Sequence, residues 1–149
     1  MSRNIIITGA GGNLGSAVVE KFKREGYHII ALLDPSKNHE VEEADDSYEV
    51  DVTDEKAVAE FIKEYNLQYG DVDALAFLVG GFAMGGIAET SQADLEKMFT
   101  LNFFSAFHLV KGFLPIMKKQ EKGTFLFVGD RHALQIQDAV GALAYSLSK

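Results

Sequence analysis

Short runs of β-branched and apolar residues alternate along the chain with longer stretches of helical period, the pattern of a parallel sheet wrapped by helices. Asn4–Thr8 reads as a buried strand. A glycine-rich turn follows, and Leu14, Val18 and Phe22, four residues apart, predict a helix from Asn13 to Glu25 that Gly26 stops. Tyr27–Leu33 is a second strand, broken by Asp34-Pro35 into an acidic, polar stretch to Asp46, predicted to be loop with at most a short helix. Ser47–Val50 is the third strand. Thr53 or Asp54 then caps a helix in which Val58, Phe61, Ile62 and Tyr65 keep the i, i+3, i+4, i+7 spacing. Ala74–Val79 is the fourth strand. Beyond the Gly80–Gly86 segment, helical period runs from Ser91 to about Lys119, with Gly112 and Pro115 predicting a kink or an early end. Thr124–Val128 is the fifth strand, and Ala139 opens a last helix.

The predicted fold is α/β, a doubly wound parallel sheet in a single domain over residues 1–149, a length at which one core suffices. The last helix reaches Lys149 after a few turns and the fifth strand lies at a sheet edge, so the expectation is a fragment of a longer product, or a truncated chain that persists by associating as a homo-oligomer, with little or no catalytic activity alone. Charge and composition narrow the partners. With 22 acidic residues against 14 Lys plus Arg the chain carries −8, which repels nucleic acid and anionic membrane surfaces. Its apolar runs are short, and neither a membrane span nor a secretory signal is expected. The absence of cysteine excludes a disulfide framework, a thiolate zinc site and a cysteine nucleophile, and fits a cytoplasmic protein. His28, His39, His108 and His132 show no ligand spacing, so no metal is expected.

The segment Ile5-Ile6-Ile7-Thr8-Gly9-Ala10-Gly11-Gly12-Asn13-Leu14-Gly15 sets a glycine turn between a buried strand and an amphipathic helix. There the free amides and the positive helix end face outward together, and missing side chains let a pyrophosphate approach. Asp34 ends the second strand nineteen residues after Gly15, close to the spacing at which an acid meets a ribose 2′-hydroxyl. A carboxylate there repels a 2′-phosphate and favours NAD over NADP, with Lys37 nearby to soften the choice.

These residues resemble the short-chain dehydrogenase/reductase family, from Ile5 to Lys149. The family's Thr-Gly-x-x-x-Gly-x-Gly loop is matched by Thr8, Gly9 and Gly15, with Asn13 at the middle glycine, and its Asp-Val/Leu-Thr element by Asp51-Val52-Thr53. The resemblance implies a Rossmann-like fold and cofactor contacts from Thr8, Gly9, Gly12, Asn13, Leu14, Gly15, Asp34, Asp51, Val52, Gly80 and Gly81. Where the family shows Asn-Asn-Ala-Gly, this chain has Gly80-Gly81-Phe82-Ala83-Met84-Gly85-Gly86, which resembles the dihydropteridine reductase branch. Asn102 matches the family's relay asparagine, and Tyr145 with Lys149 its Tyr-x-x-x-Lys pair on one helix face. That spacing alone is cheap in a chain with five tyrosines; its place after the fifth strand gives it weight.

The implied chemistry is hydride transfer with NAD as cofactor, on a small carbonyl or quinonoid pterin-like substrate. Tyr145 would donate the proton, Lys149 would lower its pKa and hold the ribose, and Asn102 would support the relay. The family's serine after the fifth strand is missing from Val128-Gly129-Asp130-Arg131-His132-Ala133. Counting back from Tyr145 points to His132, and aligning the strand end points to Asp130. The contrasting reading is a non-catalytic nucleotide-binding or scaffold protein.

Overall fold

A computed structural model describes residues 3–37 and 40–149. Its elements run β1 (Arg3–Thr8), α1 (Asn13–Arg24), β2 (Tyr27–Leu33), β3 (Asp46–Glu49), α2 (Glu55–Gln68) and β4 (Ala74–Phe77). Then come α3 (Gln92–Phe99), a π-helical segment (Thr100–Phe104), α4 (Ser105–Lys119), β5 (Thr124–Phe127), the single turn α5 (Arg131–Leu134), a 3₁₀ segment (Ile136–Gly141) and α6 (Leu143–Ser148). The sheet has the order β3-β2-β1-β4-β5, and every pairing is parallel.

Both faces of the sheet are covered, which is why its central strands read as continuous apolar runs. Side chains alternate across β1: Ile6 joins Leu32, Phe61, Leu75 and Phe113 in the core under α2 and α4, while Ile5 and Ile7 join Val19, Ile29 and Ala76 under α1. The edges differ. On β3 the residues alternate between half-buried and exposed, and on β5 Phe127 is 63% exposed.

Several boundaries differ from the sequence expectation for physical reasons. β4 stops at Phe77 rather than Val79 because the Leu78 and Val79 amides leave the ladder and donate to the Thr8 hydroxyl (3.0 and 3.4 Å). Asp54, not Thr53, caps α2 through the Lys56 amide. Pro115 does not end α4. It lies on the exposed face one turn after the exposed Lys111, where water can take up the carbonyl that a proline cannot serve. Gly112 is no kink either: a Cβ there would stand 2.1 Å from Ile62 Cδ1, so the glycine lets α2 and α4 close on each other. The irregularity falls earlier, at the π segment over Thr100–Phe104. After β5 the chain makes the unforeseen turn α5, and α6 starts at Leu143, four residues beyond Ala139.

By length and composition the helical run Gln92–Lys119 could cross a membrane, contrary to the expectation from short apolar runs. One face of the run packs into the core through Met98, Leu109, Phe113 and Met117, while Phe103, Phe104, Phe107 and Leu114 are exposed.

Gly15 is the tightest backbone contact with a stability consequence. A Cβ on it would fall 2.1 Å from the Gly9 carbonyl oxygen and 2.7 Å from Ala10 backbone atoms, none of which can rotate away. Gly15→Ala is therefore expected to cost at least about 2 kcal/mol in urea unfolding. Gly112→Ala meets only the tip of a flexible side chain and gains helix propensity, so its cost stays below about 1 kcal/mol. Equal losses for the two would refute this account of the turn.

Candidate functional site

Between β1 and β4 the sheet order reverses direction, and in open parallel sheets the crevice beyond the strand ends at that point is where ligands bind. A cleft of about 480 Å³ lies there. Gly9, Gly11 and Gly12 form its floor, Asp34 and Lys37 one wall, and Asp51, Val52, Val79 and Gly80 the other. The turn can sit so low because Gly9 holds φ +63, a left-handed conformation, with its Cα against the Leu78–Val79 backbone. Gly12 caps α1 with no side-chain hydrogen bond, and the first helical bond runs from the Ser16 amide to the Gly12 carbonyl. The amides of Asn13 and Leu14 thus start the helix without internal acceptors, as an anion site requires.

Not every residue of the motif reaches the cleft. Thr8 is buried and spends its hydroxyl on β4, so it fastens the turn instead of lining it. Gly15 packs on Gly9, and the Leu14 side chain is half exposed. Gly11, Val79 and Leu101 line the cleft without having been singled out from sequence; for Gly11 the glycine run itself was the available signal. The Asp34 carboxylate accepts from the Ser36 amide and hydroxyl (2.9 and 2.7 Å) and stands 3.7 Å from Lys37 Nζ. Those Ser36 bonds, and then Lys37, hold its pKa below the usual carboxylate value. Asp51 forms the same kind of turn with the Thr53 amide and hydroxyl.

A second set of predicted residues converges at the mouth of β4 and β5. Asn102 lies in the π segment, and its Oδ1 accepts from the Gly81 amide (2.8 Å). Its Nδ2 donates to the Gly81 carbonyl (3.1 Å) and to Ser148 Oγ (2.8 Å). Lys149 Nζ donates to the Val128 carbonyl at 3.4 Å. A Cβ on Gly80 would meet Asn102 Oδ1 at 2.8 Å and Lys149 Nζ at 3.6 Å, which shows how closely the three gather. Beside them a cavity of about 330 Å³ opens between Asn102, Phe103, Phe107, Phe127 and Lys149.

Tyr145 is half-buried, with its ring edge-on to Phe82 at 4.8 Å and to His132 at 5.9 Å. Lys149 Nζ is 5.8 Å from the Tyr145 ring centroid. The expected lowering of the phenol pKa by Lys149 is not what the chain shows: the pKa is raised, first by burial and then by the hydrogen bond and charge of Asp130. Asp130 and His132, the two candidates for the missing serine, both lie at Tyr145 and touch each other, Oδ1 to Nδ1, at 2.5 Å. The glycine loop is fastened to the same region by a parallel bridge: the Gly85 amide donates to the Gly141 carbonyl (2.8 Å) and the Leu143 amide to the Gly85 carbonyl (2.9 Å).

Of the other histidines, His28 pairs with Asp46 at 2.7 Å and His108 with the Val52 carbonyl at 3.2 Å, while His39 lies outside the described residues. Among the described residues no group of three or more His, Asp or Glu is arranged to hold a metal.

Comparison with known proteins agrees with this geometry. The family model for short chain dehydrogenases matches residues 3–149. A diacetyl reductase [(S)-acetoin forming] of Staphylococcus epidermidis is 27% identical over 135 residues, covering 85% of this chain and 52% of that protein. A dihydropteridine reductase of Dictyostelium discoideum is 27% identical over 151 residues, covering 100% and 62%. Among solved structures, ElxO with NADP bound superposes with a TM-score of 0.88 at 24% identity, covering 99% of this chain and 62% of that one. The ligand-free aldohexose dehydrogenase of Thermoplasma acidophilum gives 0.83 at 26% identity, covering 99% and 56%. The chain thus spans between half and two thirds of the length of these proteins. With the glycine turn at the switch point and a family match across all but its first two residues, the chain belongs to the short-chain dehydrogenase family.

Proposed function

We propose that this chain carries the nucleotide-binding and proton-donating parts of an oxidoreductase that uses NAD(H) and reduces a carbonyl or quinonoid pterin-like substrate. The observation that carries the reading is the convergence of Gly80, Asn102, Tyr145 and Lys149 at the strand ends beside the glycine-floored cleft. The cleft suits a nicotinamide dinucleotide: Gly9, Gly11 and Gly12 line it without side chains, and α1 starts directly after them at Asn13, where a pyrophosphate would meet the helix N-terminus. When bound, the nucleotide supplies the hydride. The remaining chemistry belongs to side chains. The Tyr145 phenol would donate to the substrate oxygen, and its raised pKa, which weakens it as an acid, is what Lys149 would have to offset. Lys149, whose Nζ now donates to the Val128 carbonyl, would hold the nicotinamide ribose, and Asn102 ties the Gly81 backbone to Ser148 beside it.

The pterin-like version draws support from the Phe82 loop at Tyr145 and from the name of the Dictyostelium relative; the simple carbonyl version, from that of the Staphylococcus one. A second reading, nucleotide binding without catalysis, is favoured by the loss of the serine between Val128 and Ala133. Association into a homo-oligomer is supported by Phe103, Phe107, Phe127 and Val128, exposed together at the β5 edge.

The preference for NAD(H) is supported by Asp34, an acid lining the cleft with no arginine among the cleft residues. Calorimetric titration should show NADH binding at least about tenfold tighter than NADPH. Tighter NADPH binding would mean that Lys37 governs the pocket. In a full-length protein containing this chain, Tyr145→Phe should remove most NADH-dependent reduction of diacetyl or a quinonoid pterin while leaving NADH affinity nearly unchanged, whereas Lys149→Ala should damage both. NADH binding without turnover in that full-length protein favours the non-catalytic reading. Sedimentation velocity at micromolar concentration is expected to show a species larger than the 16.3 kDa monomer.

A further inference from the structure

The helix that carries Tyr145 and leads into Lys149 is held in place from outside. α6 spans six residues, and Ala142 before it gives no side-chain cap; a helix of under two turns is not stable by its backbone bonds alone. The bridge to Gly85 fastens its start. Near its end the tie is Ser148, which is 5% exposed. The main chain fixes the direction of every bond there. The Gly81 amide can only donate, so the Asn102 atom 2.8 Å from it is Oδ1, and the atom 3.1 Å from the Gly81 carbonyl is Nδ2. Nδ2 also donates to Ser148 Oγ (2.8 Å), which turns the Ser148 hydroxyl hydrogen onto the Tyr145 carbonyl (2.8 Å). Lys149, the next residue, has a weaker hold of its own: its Nζ reaches the Val128 carbonyl at 3.4 Å.

We propose that Ser148 is a positioning residue of the nucleotide site, acting through Lys149. The inference rests on the nicotinamide-binding reading and deepens it. By accepting from Asn102 and donating within its own helix, the Ser148 hydroxyl ties the last turn of α6 to the Gly81 backbone. Lys149 follows directly, and its ammonium stays by Gly80, where a Cβ would stand 3.6 Å from Nζ, at the wall of the glycine-floored cleft. Without the hydroxyl, an Asn102 N–H and a carbonyl of the last helical turn, where backbone partners run out, both lose a partner in a buried place. The turn then loosens and Lys149 with it, so a bound anionic dinucleotide has to order that side chain as well. Ser146 supplies the contrast on the same helix. It is also buried, but its hydroxyl donates to the Ala142 carbonyl (2.7 Å), a bond local to the start of α6.

Calorimetric titration and NMR separate positioning from a structural role. Ser148→Ala should weaken NADH binding about fivefold, the size expected for one buried hydrogen bond, and Ser146→Ala less than about twofold. In a Lys149→Ala background the Ser148→Ala change should alter affinity by less than about twofold, because the two residues act in series. A second measurement needs no nucleotide. In the ligand-free chain the two Lys149 ε-methylene protons should be inequivalent in the wild type and in Ser146→Ala, and should merge in Ser148→Ala as the side chain is freed. If Ser148→Ala fails to fold, Ser148→Cys, close in volume and weak in hydrogen bonding, takes its place in both measurements. An equal loss of affinity with and without Lys149, an equal loss in Ser146→Ala, or inequivalent ε-methylene protons in the Ser148 variant would overturn the proposal. A wild-type chain that does not bind NADH instead sinks the nicotinamide-binding reading, and the ε-methylene signals still decide whether Ser148 fixes Lys149.

Discussion

Two approaches of backbone to backbone, both at the turn after β1, set the position of everything else. Gly9, at a left-handed φ of +63, lies against Leu78 and Val79 where a Cβ would be tight, and Gly15 lies against the Gly9 carbonyl where a Cβ would collide with peptide atoms. The first contact joins the turn to β4 at the point where the sheet changes direction; the second draws the start of α1 down onto the turn. Thr8 locks the arrangement by taking the two amides that β4 would otherwise offer to its ladder. The crevice is therefore built of main chain, and its shape depends on what these residues lack.

Asn102 performs the corresponding task on the other side. Its carboxamide exchanges two hydrogen bonds with Gly81 and gives a third to Ser148, so the strand-end loop, the π segment and α6 meet at one group. A half-buried amide is costly unless satisfied, and among the described residues no buried side-chain polar atom lacks a partner. The widened π turn is where this group sits, in keeping with the frequent occurrence of such turns at functional sites.

Strands buried on both faces announce themselves, and Tyr27–Leu33 is observed with the bounds its apolar run predicts. The glycine turn, Asp34, Asp51 and the Tyr-x-x-x-Lys pair were legible because local spacing carries them. Pro115 misled, since its helical cost depends on which face it occupies, and a one-dimensional pattern does not say that water reaches Lys111. The rise in the Tyr145 pKa was hidden for a related reason: Lys149 is near in sequence and Asp130 is not, yet the turn after β5 brings Asp130 onto the phenol. Ser148 as a partner of Asn102, forty-six residues away, leaves no sequence signal at all.

The bridge between Gly85 and Ala142 gives the site a mechanical character. The glycine loop and the start of α6 share one pin of two hydrogen bonds, each worth about 1 kcal/mol net. Phe82 rides on that loop and Tyr145 on that helix, ring against ring. Through that pin the position of the loop and the packing of the Tyr145 ring are mechanically joined, so a change in one is felt by the other.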